Sequence, residues 1–166
     1  MAIKNRLAKE NLYYKINIKI MWKILQRLLI SKIASVTKYS LEKELLKQFK
    51  RLKPGIVLDV GSKNAPYKRY IPHTEYMTLD INPQVKPDIV ADIHNVNWES
   101  NYFDTIIATE VLEHCYCPQK VIDEIYRLLK QEGICILSTR FIYPYHPDPK
   151  DYYRFTKDAL EDLFKN

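Results

Sequence analysis

Between Val57 and His114 three short apolar runs each close on an acidic residue: VLDV before Gly61 contains Asp59, YMTLD ends at Asp80, and IVAD ends at Asp92. Short runs of β-forming residues, separated by helix-forming stretches, predict an α/β fold built on a parallel sheet. In an open parallel sheet the strand ends share one edge, so carboxylates that terminate successive strands converge on one crevice. A single aspartate at such a place is ordinarily a turn or cap residue. Three in succession point to a ligand site.

The pattern predicts strands near Ile56 to Val60, Tyr76 to Asp80, Asp88 to Ala91, Asp104 to Thr109 and Ile134 to Arg140. A helix from Pro118 to Lys130 would bury Val121, Ile122, Ile125, Leu128 and Leu129, and Gly133 suits a left-handed turn after it. FIYPYHPDPKDYYRFT, too rich in proline and aromatics for regular structure, reads as an ordered loop across the strand ends. A short apolar-faced helix starts near Thr156 and is cut off at Asn166. The expected architecture is a Rossmann-like open parallel sheet of about five strands.

Charge divides the chain. Residues 1–54 carry 14 Lys/Arg against 3 Asp/Glu, and residues 55–166 carry 12 against 17. We read a basic helical extension over 1–54 and the α/β domain over 55–166. Because the basic charge is absent from the domain, nucleic acid is not the expected partner. In the extension Lys15, Lys19, Lys23 and Arg27 recur on one side of a helix from Leu12 to Ile33, beside a broad apolar face with Trp22. Such a helix either packs on its own domain or lies peripherally in an anionic membrane surface. A second helix, Ser40 to Leu52, takes Ser40 as its N-cap and stops at Pro54-Gly55.

Lysines and an arginine interrupt the apolar stretch Ile16 to Ile30, so neither a secretory signal nor an ordinary transmembrane helix is expected. Cys115, Cys117 and Cys135 form neither a metal-binding pair nor an even disulfide set. These features predict a cytoplasmic protein without a structural zinc site, with membrane association as the second reading of the basic helix.

Asp80 follows Asp59 by the roughly 20-residue interval that separates a nucleoside-binding turn from a ribose-binding carboxylate. Asp80 would accept both ribose hydroxyls, Ile81 would wall a purine, and Asp92 with Ile93 would meet the adenine amine and ring. A dinucleotide needs G-x-G-x-x-G for its pyrophosphate, and this chain offers only Gly61 in GSKNAP. S-adenosylmethionine has no phosphate and needs no such cradle.

VLDVGSKNAPY, LDIN, IVADI, YFDTIIATEVLEH, IDEIYRLLKQEG and ILSTRFIYPYHPDPKDYYRFT together resemble a class I S-adenosylmethionine-dependent methyltransferase of the type 11 group, over Gly55 to about Phe164. The resemblance implies that Asp59, Gly61 and Ser62 shape the loop around the methionine part of the cofactor. It places Asp80 on ribose, Ile81 and Ile93 around adenine, Asp92 on its amine, and Glu110 and Val111 on the methionine side with His114 nearby. Two departures stand out. Lys63 and Ala65 occupy the second and third glycines of the family's D-x-G-x-G-x-G loop, and the chain ends before the family's last helix and antiparallel strand pair. A truncated chain, or a fifth strand covered by a partner or by the N-terminal helices, is therefore expected.

Methyl transfer from a sulfonium needs alignment and desolvation more than catalytic groups. For an oxygen or nitrogen acceptor a base would help. His146 is the first candidate and His114, Asp148 and Asp151 are the others; Tyr152, Tyr153 and Arg154 would orient the acceptor or pin the loop. His73 and His94 read as surface loop residues. The acceptor would be a small molecule, a glycan or a lipid-linked glycan. The alternative is a non-catalytic binding module on the same fold, and a nicotinamide oxidoreductase is disfavoured by the missing glycines.

Overall fold

The computed structural model describes residues 30–32 and 34–165. The chain forms two compact units, Met1–Glu42 and Lys43–Asn166. In the first, the described residues are helical; the basic stripe and Trp22 lie outside the described residues. No helix among the described residues is long and apolar enough to cross a membrane.

Helix α1 (residues 34–49) runs unbroken past Ser40, which is therefore not an N-cap. Within the second unit Leu45, Phe49 and Leu52 are buried, and the Phe49 ring lies 5.6 Å from that of Tyr67. Residues 43–54 thus belong to the same compact body as the sheet.

Five strands form that sheet: β1 (Ile56–Val60), β2 (Glu75–Asp80), β3 (Ile89–Val90), β4 (Phe103–Thr109) and β5 (Leu129–Ser138). They are all parallel, in the order β3-β2-β1-β4-β5. Val57, Leu58, Ile106 and Ile107 are fully buried, as expected where β1 and β4 are central strands of a parallel sheet covered on both faces.

Helix α2 (Pro118–Leu128) starts with proline, whose missing N–H costs nothing at a helix's first position. It buries Val121, Ile122, Ile125 and Leu128. It stops two residues before the expected Lys130, because Leu129 pairs with Phe103 of β4 and already begins β5. The register then jumps, Thr105 facing Ile134, so residues 130–133 form an irregularity. Within it the left-handed residue is Glu132 (φ 67°), not Gly133. Gly133 serves close approach instead, since a Cβ there would meet the Lys130 carbonyl oxygen at 2.8 Å.

The β1–β2 connection contains only one 3-10 turn, Lys68–Tyr70, in place of a crossover helix. Helix α3 (Lys157–Leu163) is capped by Thr156, whose Oγ1 accepts the Ala159 N–H. β5 is an edge strand, with Ile134 44% exposed.

Candidate functional site

Strand order reverses at β1, with β2 on one side and β4 on the other, and the crevice beyond the strand ends is where such sheets bind ligands. A cavity of about 300 Å³ lies there. Its lining includes Gly61, Asp80, Ile81, Asp92, Ile93, Glu110, Val111 and His114. These are the expected cofactor residues apart from Asp59 and Ser62, together with His114, which with Asp148 makes two of the four expected acid–base residues that line the cavity.

Gly61 ends β1 in the left-handed region (φ 63°) and donates its N–H to Leu79 O at 2.7 Å, which turns the chain sharply away from the sheet. Lys63 and Ala65 also have left-handed φ, 45° and 44°. The loop therefore keeps a glycine-like path, and a side chain costs roughly 1 kcal/mol at each position. The ammonium of Lys63 is paired with Asp148 at 2.9 Å.

Asp80 is buried at the end of β2. Its Oδ2 accepts the Lys63 N–H at 3.2 Å and its Oδ1 the Asn82 N–H at 2.9 Å, which fixes the carboxylate while each oxygen keeps a lone pair for a ligand. Ile81 beside it is 55% exposed, an apolar surface open to a ring. Asp92 Oδ1 accepts the His94 backbone N–H at 2.9 Å and faces His94 Nδ1 at 2.5 Å. This leaves Oδ2 for a ligand.

His94 is not the surface residue its sequence context suggests. It is buried, stacks on Tyr116 with centroids 4.0 Å apart, and accepts the Cys117 N–H at Nε2. Its role is to hold Asp92 in place.

Asp59 and Ser62 stand behind the cavity wall. Asp59 is 2% exposed and accepts the Tyr76 hydroxyl at 2.7 Å. Burial pushes its carboxyl up to about 6; the Tyr76 bond opposes this and the nearby Asp80 charge adds to it. Ser62 is buried with its Oγ unpartnered.

At the end of β4, Glu110 has φ 58°. Its N–H donates to Ser138 O, its Oε1 accepts the Ser138 hydroxyl at 3.0 Å, and its other oxygen pairs with Arg140. Val111 follows it against Gly61. Arg140 stands within the ILSTR run, where the resemblance implies no role for it, and only the fold brings it to Glu110.

The aromatic loop crosses the strand ends as a lid over one end of the cavity. Asp148, Pro149, Lys150 and Tyr152 line the cavity, and the N–H groups of Tyr152 and Tyr153 both donate to Glu113 O. His114 donates Nδ1–H to Lys150 O. His146 stands beside it, ring centroids 4.9 Å apart, outside the cavity lining. Asp151 does not line the cavity either. Its Oδ2 accepts the His146 N–H at 2.9 Å, and Arg154 grips both carboxylate oxygens at 2.5 and 2.7 Å. The Arg154 bonds hold its carboxyl well below the usual range, and with the His146 N–H they fix it within the lid.

Solved structures share this fold. A chain of the Haloferax volcanii complex containing the Trm112 methyltransferase activator matches with a TM-score of 0.61 and 16% identity, over 74% of this chain and 65% of that one. Haemonchus contortus phosphoethanolamine N-methyltransferase 2, in complex with S-adenosyl-L-methionine, matches at 0.59 and 16%, over 75% and 35%. The [4+2]-cyclase SpnF matches at 0.57 and 18%, over 72% and 54%. The chain thus spans between about a third and two thirds of these structures' lengths. No curated protein sequence matches. Residues 23–137 match the family model described as "Methyltransferase domain", Methyltransf_11. With that match over more than half of its length, the chain belongs to the type 11 methyltransferase domain family.

Proposed function

We propose that the chain is an S-adenosylmethionine-dependent methyltransferase acting on an oxygen or nitrogen acceptor. The observation that carries this is the pairing of Asp80 and Asp92 around one cavity with Ile81 and Ile93, beside a turn with a single glycine. Two carboxylates and two apolar walls suit a nucleoside, and the glycine-poor turn gives no pyrophosphate cradle. Asp80 would hold ribose and Asp92 the adenine amine. Glu110 and Val111 would bound the methionine end, with Asp59 and Ser62 bracing the turn from behind.

When bound, the cofactor supplies an electrophilic methyl group on a sulfonium. The lid excludes water over the acceptor, and His114 presents it with a ring whose Nδ1 proton is fixed by Lys150 O, leaving Nε2 to take a proton. His146 stands one ring away as its second-line partner.

Thermal shift tests the reading. S-adenosylmethionine and its demethylated product should raise the melting temperature in a concentration-dependent way, and Asp80→Ala should abolish the shift. A shift with NAD but none with S-adenosylmethionine would sink it. Ligand binding with no turnover on any hydroxyl or amine acceptor would favour the non-catalytic module, a reading the fold allows because SpnF uses it for a cyclisation.

The proposed acceptor is a small molecule, a glycan or a lipid-linked glycan. Peripheral membrane contact through the basic N-terminal segment and a protein partner along the β5 edge complete the proposal. Co-sedimentation with anionic vesicles, with and without residues 1–38, tests the first; equal pelleting of both forms would refute it.

A further inference from the structure

Glu113 is completely buried in the 3-10 turn after β4. Its Oε2 accepts the Thr139 hydroxyl at 2.8 Å, while Oε1 has no partner. A buried carboxylate oxygen left bare is unfavourable unless a cation or donor meets it. The Arg154 charge reaches Glu113 through space, but none of its nitrogens bonds Oε1: they are taken by Asp151 and the carbonyls of Tyr143, Pro144 and Tyr153.

Two imidazoles stand at the same place. One ligand-capable atom from each of Glu113, His114 and His146 lies within 4.8 Å of those of the other two. His114 Nδ1 is bonded to Lys150 O and His146 Nδ1 lies 3.1 Å from Pro144 O. A carbonyl only accepts, so each Nδ1 carries the proton and each Nε2 keeps its lone pair. A backbone carbonyl fixing the tautomer of a histidine, and a hydroxyl fixing a carboxylate, are the outer supports that metal ligands have.

We propose that Glu113, His114 and His146 bind one divalent transition-metal ion, of the zinc or cobalt class, at the lid end of the cavity. Two imidazole nitrogens and one carboxylate suit borderline ions better than magnesium or calcium, and three protein ligands leave a coordination position open. His114 also lines the cavity, so that position neighbours the acceptor. This use of the ion rests on the methyltransferase reading: an acceptor hydroxyl bound to it would lose its proton to solvent more readily, and in the metal-loaded protein the ion would replace the His114 Nε2 lone pair, which takes the proton only when the metal is absent. The binding of the ion does not rest on that reading.

The test is calorimetric titration of chelator-treated protein with Zn²⁺, with Co²⁺ absorption as a second readout and Mg²⁺ as a competitor. Expected are one equivalent bound at micromolar affinity or tighter, nitrogen-ligated Co²⁺ bands and no displacement by Mg²⁺. His146→Ala, on the lid, should weaken binding at least about tenfold, as should Glu113→Gln if it folds; His73→Ala should not. Absence of saturable Zn²⁺ and Co²⁺ binding, or binding unchanged in His146→Ala, would overturn the proposal. Displacement by Mg²⁺ would overturn the ion class. The S-adenosylmethionine thermal shift, read on the same chelated protein, fails or succeeds separately.

Discussion

A Cβ placed on Gly61 would stand 2.6 Å from Cγ2 of Val111, so the turn after β1 and the turn after β4 touch with no room for a methyl group. Both residues line the cavity.

Gly61→Ala meets two penalties, the left-handed φ of 63° and the Val111 clash. The first is roughly 1 kcal/mol and overpacking adds about 1–3 kcal/mol. Urea unfolding should show a loss of at least about 2 kcal/mol, with a weakened ligand-induced thermal shift. Adding Val111→Ala should restore the steric part and leave the backbone part; a double variant no more stable than the single one would refute the contact's role.

Asp59 makes stability depend on pH in a definite direction. Its folded value, about 6, exceeds the ordinary 3.8, so its contribution is fully present below about pH 4 and is lost as pH rises through 6. The loss is on the order of 3 kcal/mol. Asp59→Asn keeps an acceptor for the Tyr76 hydroxyl and should flatten the slope between pH 4 and 6. It should also stabilise the protein at pH 7.5 by about 1–3 kcal/mol. Parallel slopes for the two proteins in chemical unfolding would contradict this assignment.

At Lys63 the backbone and the ion pair can be separated. Lys63→Ala retains the left-handed residue (φ 45°) and removes the pair with Asp148, whose exposed side chains make it worth about 0–1 kcal/mol. Lys63→Gly removes both. The glycine variant should be the more stable of the two by about 0.5–1 kcal/mol, the strain relief exceeding glycine's greater unfolded freedom. Equal midpoints would show that the loop relaxes instead.

Arg154→Ala would leave the Asp151 carboxylate, 1% exposed, without its guanidinium. We expect a loss of about 2 kcal/mol, between the values for surface and buried pairs, together with faster proteolysis between Phe141 and Lys150. The depressed Asp151 value means that wild type loses this stabilisation as pH falls below about 4, and the variant should lack that acid limb.

Much of the core was legible because its strands are apolar runs of the right length. β1, β2 and β4 begin and end within a residue of where the runs do, and Asp80, Ile81 and Asp92 meet at one cavity because parallel strand ends must. The Leu128–Leu129 boundary was not legible, since pairing with Phe103 overrides a helical period that continues through Leu129. Nor was the burial of His94, which depends on Tyr116 and Cys117 arriving from the segment after β4 to meet the local Asp92–His94 pair. The Glu113, His114 and His146 cluster had no sequence signal either, because the lid alone brings His146 to β4's turn.

The two amides of Tyr152 and Tyr153, both tied to the carbonyl of Glu113, make the lid a clock. Neither can exchange its hydrogen for deuterium without that tie breaking, and breaking it uncovers the far end of the cavity. Their exchange rates would therefore read out how often the site opens, in the resting protein and with each ligand in turn, with no label placed on the lid.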